Sequence, residues 1–478
     1  MWIKLSKYTF IRHKSNYIYI FNQLNYSERY YDLSAEDFIL SINKTPKKLN
    51  DIVTDLLRLY DVERKVLKKD FIEFIEDLEQ DGIIVIGKTA EEVFEKEEIF
   101  SYKRFEIIKN YKEVETNERK DDISCVSSIV QKDELFVENL YLEVTRRCNE
   151  RCLHCYIPQE QRSHGEFIKL DDAKNYIDQA KDLGIWELTI TGGEPFLHPK
   201  ISEILQYARS KDVIIVILSN LTLISKKHIS LLKEIYPSHI QVSLYSLNAD
   251  THDAITNLKG SHNQTMRGID LCYKNDIPLQ INCPINELNR TDFKAVKNWA
   301  KVKGIKANID FFIMAQTDNT SNNLKTYRLK NNNYKKSYKD FLICEKVTPE
   351  FNFDTSVFNT HICGSGYGKL FISEKGKVYP CSVWKSFELG DLNNNTLKDI
   401  YQKSKKIVKL RGITIKDYES QVERSLMPFI NWCPGHFANS NQGDYTKIPD
   451  DVLENARIKK EVVDELLKER NKSEVHKK

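Results

Sequence analysis

The sequence has little net charge, no long apolar run and no secretory signal. Its 72 Lys and Arg residues nearly balance 69 Asp and Glu residues, giving a formal net charge of +3. Binding to polyanions generally needs a basic face, so composition argues against nucleic acid and anionic membranes as partners. The longest apolar run, Val213 to Leu218, is far too short to span a bilayer, and the first residues lack the apolar core of a signal peptide. We therefore expect a cytoplasmic protein without membrane association.

Ten cysteines occur among the 478 residues. In a reducing compartment we do not expect them to form structural disulfides, which leaves metal ligation, nucleophilic chemistry or plain burial. A chain of this length can bury a large core without disulfides. At one domain per ~150 residues it should hold about three domains.

Residues 1–87 predict a small winged-helix-like module. Two aromatic and β-branched runs, Tyr8 to Arg12 and Tyr17 to Phe21, are typical of paired strands. Apolar residues then recur at helical spacing from Leu67 to Leu78, and Gly82 ends that helix. Residues 88–138 contain no glycine or proline and are dense in Lys, Glu and Asp, which predicts a charged, partly helical linker.

Residues 139–317 show strands alternating with amphipathic helices. One such helix is predicted over 171–183, capped by Asp171 or Asp172 and ended by Gly184. The pattern predicts an α/β fold, a partial (β/α)6 TIM-like barrel with its chemistry at the carboxyl ends of the strands. The six candidate strands are Leu140 to Thr145, Glu187 to Thr191, Val213 to Ser219, Ile240 to Leu244, Pro278 to Cys283 and Ile305 to Ile313.

Residues 318–478 are asparagine-rich and lose the regular alternation. They predict a loop-rich third domain with a terminal helix from Asp450 to Arg470.

Three cysteines, Cys148, Cys152 and Cys155, form a C-x3-C-x2-C pattern directly after the first barrel strand. Three thiolates on one loop can bind three irons of a 4Fe-4S cluster and leave the fourth iron open to a small molecule. The alternative is a zinc knuckle or a chance cluster, although structural zinc needs four closed ligands.

The segment CNERCLHC resembles the signature of the radical S-adenosylmethionine (SAM) superfamily, with His154 in the aromatic slot beside adenine. The resemblance implies that the open iron binds the amino and carboxylate groups of SAM. Electron transfer from the cluster would then give a 5'-deoxyadenosyl radical.

The segment TGGEP, which contains Gly192, Gly193 and Glu194, ends the second strand. Two glycines let the backbone approach a ligand, and a carboxylate can pair with an ammonium group. The segment resembles the GGE motif that holds the SAM amino group; alone it could be a tight turn.

The same resemblance implies SAM contacts near the ends of the third, fourth and fifth strands, namely Ser219, Asn220, Ser243 and Asn282. Thr256 lies where relatives often carry an arginine for the SAM carboxylate.

A second set of cysteines, Cys363, Cys381 and Cys433, is spread over the last domain. The CGSG start, the GKVYPC hairpin and Leu389 to Asp391 (LGD) resemble the SPASM extension of peptide-modifying radical SAM enzymes. Full SPASM domains hold two auxiliary 4Fe-4S clusters. Here the positions of the outer ligands fall on Ser420, Glu423 and Phe429.

The missing ligands predict a degenerate SPASM-like domain with one auxiliary 4Fe-4S cluster. Cys344 is a candidate fourth ligand, the alternative being an iron bound by solvent or substrate. Cys125, Cys272 and Cys283 lack patterned partners, and the last two are expected to be buried apolar residues.

The front module holds 13 basic and 14 acidic residues within 1–87, so no basic face for DNA is evident. It resembles the RiPP recognition element of pyrroloquinoline quinone (PQQ) biosynthesis. In that family a sheet edge captures the leader of a ribosomal precursor peptide by β-augmentation. The alternative is a stabilising cap or a dimerisation domain.

Together these resemblances imply a radical SAM maturase of a ribosomally made peptide, forming a thioether of the sactipeptide or ranthipeptide kind or a carbon-carbon bond. An external electron donor such as flavodoxin or ferredoxin would reduce the first cluster. The alternatives are a sulfatase-type maturase that oxidises a protein residue, and an iron-sulfur redox sensor with a winged-helix DNA-binding domain.

Overall fold

The computed structural model describes residues 1–13, 17–25, 27–100, 137–346 and 360–475. They form two compact units. The front unit comprises the described residues up to 100 together with 212–214 and 276–278, and the second unit comprises the others. Most of the predicted linker, including Cys125, lies outside the described residues, although its start belongs to a helix, Ala90–Phe100. The domain boundaries drawn from the sequence stay predictions.

The front unit contains two antiparallel three-stranded sheets. In one, β1 (Trp2–Leu5) lies between β5 (Lys47–Lys48) and β6 (Ile84–Gly87); in the other, β3 (Tyr17–Asn22) lies between β2 (Thr9–His13) and β4 (Glu28–Asp32). The two predicted strands are confirmed as β2 and β3. The three further helices of this unit are Glu36–Ser41, Leu49–Leu56 and Arg64–Gln80.

The helix Arg64–Gln80 buries the apolar stripe that its sequence predicts. Its buried side chains are Leu67, Phe71, Ile75 and Leu78, and each contributes about 1.5–3 kcal/mol when fully removed from water. Gly82 follows the helix with a φ of +67°, a left-handed conformation that glycine adopts without a steric penalty.

Six β/α units of the second unit confirm the predicted partial barrel. Their strands are β7 (Asn139–Thr145), β8 (Glu187–Gly192), β9 (Ile214–Ser219), β10 (His239–Ser243), β11 (Leu279–Pro284) and β12 (Lys306–Asp310). Strands β7 and β8 pair in parallel, and so do β9 through β12. The helices are Gln159–His164, Leu170–Asp182, Ile201–Ser210, Lys226–Ile235, Ala249–Thr256, Ser261–Lys274 and Phe293–Val302.

Two predicted details of the barrel were wrong. The sixth strand ends at Asp310 rather than Ile313. The first long helix begins at Leu170, and neither Asp171 nor Asp172 caps it. Both carboxylates instead lie in its first turn, where the helix dipole favours negative charge.

The last part of the chain extends the barrel sheet. Strands β13 (Lys369–Ile372), β14 (Lys377–Tyr379) and β15 (Gly390–Asp391) complete a nine-stranded sheet with the order β12-β11-β10-β9-β8-β7-β13-β14-β15. β13 pairs in parallel with β7, and β14 turns back antiparallel. The remaining helices are Asn322–Tyr327, Asn331–Glu345, Leu397–Lys403, Lys405–Arg411, Pro434–Ser440 and Asp450–Val475. None of the described helices has the length and apolar character needed to cross a membrane.

Candidate functional site

The first three cysteines lie on the loop that follows β7. The Cys148 Sγ accepts a hydrogen bond from the Glu150 amide at 3.4 Å, and the Cys152 Sγ lies 3.2 Å from Glu150 Oε2 and 3.7 Å from the Tyr245 hydroxyl. Burial raises the pKa of all three thiols, Cys155 included. A coordinating metal would remove those protons outright, so the loop presents three desolvated thiols suited to a cluster.

Backbone contacts fix the shape of this loop. The Arg162 carbonyl accepts from the Cys148 amide at 3.1 Å, and the Arg162 guanidinium donates to the Cys152 carbonyl at 3.2 Å. The Thr256 carbonyl accepts from the Arg151 amide at 2.8 Å. Arg162 is a buried cation whose charge opposes the burial that raises the Cys155 pKa. The sequence did not predict this role of Arg162, because no motif links Arg162 to the cysteine pattern.

The Gly192–Gly193–Glu194 turn packs directly on the start of the cysteine loop. The Gly193 amide donates to the Thr145 carbonyl and the Glu194 amide to the Arg147 carbonyl, both at 2.8 Å. A Cβ at Gly192 would lie 2.1 Å from the Thr145 oxygen, and one at Gly193 2.3 Å from the Arg147 oxygen. Only glycine allows this approach, so both glycines are required by the contact between turn and loop.

Glu194 is fully buried and held by the end of β9. Its carboxylate accepts from the Ser219 hydroxyl at 2.9 Å, from the Asn220 amide at 2.8 Å and from the Phe196 amide at 3.0 Å. Burial raises the Glu194 pKa to about 7, and these hydrogen bonds oppose the shift. A ligand ammonium beside it would favour the ionised form further. Ser219 and Asn220 therefore position Glu194, and the Asn220 side chain also donates to Asn149 of the cysteine loop at 3.0 Å.

The His154 ring packs edge-on against Tyr245, with centroids 4.8 Å apart. Burial, reinforced by Arg162, lowers the His154 pKa to about 4, so the imidazole is neutral. Its buried Nδ1 finds no hydrogen-bond partner among the described residues. A neutral ring with one unsatisfied nitrogen is suited to lie beside a nucleobase.

Polar side chains form a row across the carboxyl ends of β10, β11 and β12. Register pairs Ser243 with Asn282 and Asn282 with Asn308. The Ser243 hydroxyl hydrogen-bonds to Tyr245, which in turn contacts Cys152. Sequence reasoning missed Asn308 and Tyr245. Strand register, had it been known, would have pointed to Asn308.

Cys363, Cys381 and Cys433 converge from three separate segments. Cys363 precedes β13, Cys381 follows β14, and Cys433 caps the helix Pro434–Ser440. Burial, then the proximity of Cys381 and Cys363, raises the Cys433 pKa. The Sγ atoms of Cys363 and Cys433 accept backbone hydrogen bonds from Ser365 and His436, each at 3.4 Å. The site thus offers three neighbouring thiols with amide donors around them.

Among the described residues, no hydrogen bond or electrostatic contact joins Cys344 to these three cysteines. Cys344 is exposed near the end of the helix Asn331–Glu345. It raises the pKa of Lys297, on the helix Phe293–Val302, against the larger lowering effect of burial. The helix face that carries Cys344 lies towards that neighbour, so we do not propose Cys344 as a ligand of the auxiliary cluster. Cys272 and Cys283 are fully buried, which confirms the prediction made for them.

In the part of the chain that the structure describes, no three His, Cys, Asp or Glu side chains converge on one point as ligands of a single metal ion would. The thiolates of a 4Fe-4S cluster bind different irons and need no common point. Both thiol triads, with their buried surroundings and amide donors, fit iron-sulfur clusters, and the Gly192–Glu194 turn fits an ammonium-bearing ligand at the first.

A family model matches this part of the chain: the Radical SAM superfamily model covers residues 142–300, from β7 through the helix Phe293–Val302. This stretch of the chain is a radical SAM domain. Two further models match, an iron-sulfur cluster-binding domain (SPASM) over residues 363–425 and Coenzyme PQQ synthesis protein D (PqqD) over residues 26–84. Cys363 and Cys381 lie inside the SPASM match, and Cys433 lies beyond it.

Two curated relatives have names that describe different biosynthetic roles. The chain is 28% identical to the antilisterial bacteriocin subtilosin biosynthesis protein AlbA of Bacillus subtilis, over 63% of this chain and 68% of that protein. It is 26% identical to an AdoMet-dependent heme synthase of Methanosarcina barkeri, over 56% and 83%.

Among solved structures, Streptococcus suis SuiB bound to S-adenosylmethionine matches with a TM-score of 0.57 at 14% identity, covering 94% of this chain and 99% of that one. SuiB has also been solved bound to its precursor peptide SuiA. At this identity the likeness shows the shared fold.

The protein is therefore a radical SAM enzyme that uses SAM, a 4Fe-4S cluster and auxiliary iron-sulfur chemistry. The residues present fit these groups: Cys148, Cys152 and Cys155 for the SAM cluster, and Glu194 for the SAM amino group.

Proposed function

We propose that this protein cross-links a ribosomally made precursor peptide, forming a thioether between a cysteine sulfur and a carbon, or a carbon-carbon bond. The observation that carries the proposal is the second thiol triad, Cys363, Cys381 and Cys433, assembled in the same compact unit as the SAM-cluster loop. Forming such a bond removes two protons and two electrons from the peptide. One of each leaves as the abstracted hydrogen atom, so the remaining electron needs a second redox site. AlbA, a bacteriocin maturation protein, supports the same class.

When bound, SAM and its cluster supply a 5'-deoxyadenosyl radical that takes a hydrogen atom from the peptide. The chain's own residues bind and orient. Glu194, fixed by Ser219 and the Asn220 amide, would receive the ammonium group, and neutral His154 would lie beside the adenine. Ser243 and Asn282 offer polar contacts at the barrel mouth.

The second triad is proposed to hold one auxiliary 4Fe-4S cluster. Its three thiols leave one iron for solvent or substrate. When bound there, the cluster would supply an acceptor for the electron released when the cross-link closes.

We assign leader binding to β4 of the front unit. Among the described strands β4 pairs with β3 alone, and Glu28, Arg29 and Tyr30 are exposed. The Asn22 amide donates to the Ser27 carbonyl at 2.9 Å. Hydrogen-bonded pairs alternate along an antiparallel ladder, so the amides of Glu28 and Tyr30 point away from β3. This edge can add a peptide strand, in keeping with the PqqD match.

A pair of variants at Tyr30 tests this assignment. Tyr30→Pro removes one outward amide while leaving the bonds to β3 in place, since edge strands tolerate proline. Tyr30→Ala keeps that amide and loses the same ring contacts. We expect Tyr30→Pro to bind a fluorescently labelled leader roughly tenfold more weakly than Tyr30→Ala, the effect of about one backbone hydrogen bond. Equal affinities for the two variants, measured by fluorescence anisotropy, would show that the leader does not bind at β4.

The activity itself is tested by anaerobic reconstitution with SAM, a reductant and the short peptide encoded beside the gene. The expected products are 5'-deoxyadenosine and a peptide lighter by two hydrogens per cross-link, located by tandem mass spectrometry. A cysteine-free substrate would exclude thioethers and leave carbon-carbon bonds. 5'-Deoxyadenosine without any change in peptide mass would contradict the proposal.

The same experiment separates the alternatives. A sulfatase-type maturase would change one residue without a cross-link, and a redox sensor would bind no SAM. We further propose a flavodoxin or ferredoxin as electron donor, and neither nucleic acid nor membrane as partner.

A further inference from the structure

Two buried carboxylates and two half-buried cations form a charged group between the barrel and the GKVYPC hairpin. Glu143 of β7 accepts from Arg146 Nε at 3.1 Å, and its Oε2 lies 3.3 Å from Lys385 Nζ. Glu374, in the hairpin turn, places its Oε2 3.3 Å from the same Arg146 nitrogen. Both carboxylate side chains are 3% exposed. We call these four residues the charge quartet.

The Lys385 ammonium is enclosed by aromatic rings as well as by charge. It lies 3.4 Å from the Phe371 ring centroid and 4.7 Å from that of Tyr379. Glu374 Oε2 receives no hydrogen bond from any described residue. Buried charges of this kind cost several kcal/mol of desolvation per ion, and apolar replacements are often at least as stable. Stability alone therefore explains the quartet poorly.

Members of the quartet act electrostatically on residues at both thiol triads. Lys385 follows Cys381 by four positions, and its charge lowers the pKa of that thiol against the effect of burial. The charge of Glu143 adds to the effect of burial in raising the pKa of Tyr156. Tyr156 follows Cys155 directly and hydrogen-bonds to Ser382 beside Cys381.

The members of the quartet differ in how firmly they hold their protons. Burial, then Glu143, raises the Glu374 pKa to about 7, whereas Lys385 and Arg146 keep Glu143 ionised with a lowered pKa. Burial lowers the Lys385 pKa to about 8. The other titratable groups that face the quartet are Tyr379, Tyr156 and Cys381. With Glu374 protonated the quartet carries a charge of +1, and with Glu374 ionised it is neutral.

We propose that the charge quartet is the proton acceptor coupled to the auxiliary cluster, with Glu374 as the residue that takes the proton. In the cross-linking step the substrate X–H bond breaks, where X is sulfur or carbon, and the C–X bond forms with the carbon radical. The electron passes to the auxiliary iron-sulfur cluster and the proton to Glu374. Each transfer favours the other, because added negative charge at the cluster stabilises the protonated quartet and the reverse holds by linkage.

This inference rests on the auxiliary cluster of the proposed function, and its test needs no catalysis. The midpoint potential of the auxiliary cluster is measured on the full reconstituted chain, without SAM or peptide, by a redox titration followed by electron paramagnetic resonance. The auxiliary signal is the one that Cys381→Ala removes. We expect the potential to fall as pH rises above about 7, the pKa of Glu374. The slope approaches at most roughly 59 mV per tenfold change in proton concentration for a one-electron couple.

Three variants make the test specific. Glu374→Gln should abolish the fall in potential that begins near pH 7. Lys385→Met should lower the potential below about pH 8, the pKa of Lys385, because there it removes a cation beside Cys381. Glu166→Gln is the matched control: it removes an exposed carboxylate that pairs with Lys375 of the same hairpin turn, and should behave as the unchanged protein. Iron content and circular dichroism establish that each variant is folded and loaded.

The outcomes separate the two claims. Absence of any auxiliary signal in the unchanged protein would overturn the proposed function. A normal signal with a pH-independent potential, or a slope near pH 7 that persists in Glu374→Gln, would overturn the quartet's role and leave the proposed function intact. The unchanged protein decides the first point even if a variant fails to fold.

Discussion

The two thiol triads are built in opposite ways. Cys148, Cys152 and Cys155 share one short loop, clamped by the Gly192–Glu194 turn and by backbone bonds to Arg162. The auxiliary cysteines come from two sides of a hairpin and from a distant helix cap. A local loop keeps its geometry with few supports, whereas the auxiliary site exists only when the extended sheet and the last helices have packed. The comparison predicts that the two sites can be lost separately.

The largest effect is expected from removing the first triad. The combined change of Cys148, Cys152 and Cys155 to Ala should lower iron from about eight to about four per chain and abolish SAM cleavage, because the ligands of the SAM cluster are gone. Iron analysis and chromatography of 5'-deoxyadenosine measure both. Residual cleavage at more than background would show that another site binds SAM.

Removing Cys381 should break the second site alone. We expect about four irons per chain, continued SAM cleavage and no cross-linked peptide, since the electron acceptor is missing. Cys344→Ala is the matched control and should keep about eight. About twelve irons in the unchanged protein would refute the single auxiliary cluster.

Gly193→Ala tests the contact between the Gly192–Glu194 turn and the loop of the first triad. Its Cβ would lie 2.3 Å from the Arg147 oxygen, and such overpacking costs up to about 3 kcal/mol. We expect SAM affinity, measured by equilibrium dialysis, to fall roughly a hundredfold. Gly184→Ala is the control, because its Cβ would meet nothing within 4 Å and only its φ of +82° is unfavourable. Similar losses in both variants would argue against a specific clamp.

The smallest effect is expected from Ser219→Ala. It removes one hydrogen bond to the Glu194 carboxylate, worth about 1.5 kcal/mol for a charged acceptor, and so roughly tenfold in SAM affinity. Auxiliary iron content should stay unchanged. A loss of auxiliary iron would show that the two sites are structurally coupled.

The barrel and the first triad could be predicted because their signals are local. Strand alternation placed β7 to β11 within a residue or so, and the cysteine spacing marked a loop. The fate of Cys344 could not be predicted, since the face that its helix turns towards a neighbour is decided by tertiary packing. Lys385 and Glu143 could not be paired either, because 242 positions separate them.

Arg162, Tyr245 and Asn308 escaped prediction for a related reason. Arg162 contacts a backbone carbonyl, Tyr245 contacts a ring edge, and Asn308 is placed by strand register. None of these contacts produces a recognisable pattern in the sequence. The capping prediction failed at Asp171 because an acidic residue favours both the cap and the first turn, and the sequence does not separate these positions.

The parallel pairing of β13 with β7 means that the barrel sheet is completed late in synthesis. β7 carries three fully buried apolar side chains, Leu140, Leu142 and Val144, and one of its two edges finds its partner more than two hundred residues later. During synthesis that edge stays open until the hairpin leaves the ribosome. Contacts so distant in sequence slow folding, and open edges invite aggregation. Fragments that end before Lys369 should therefore aggregate, and production of the barrel alone should depend on chaperones.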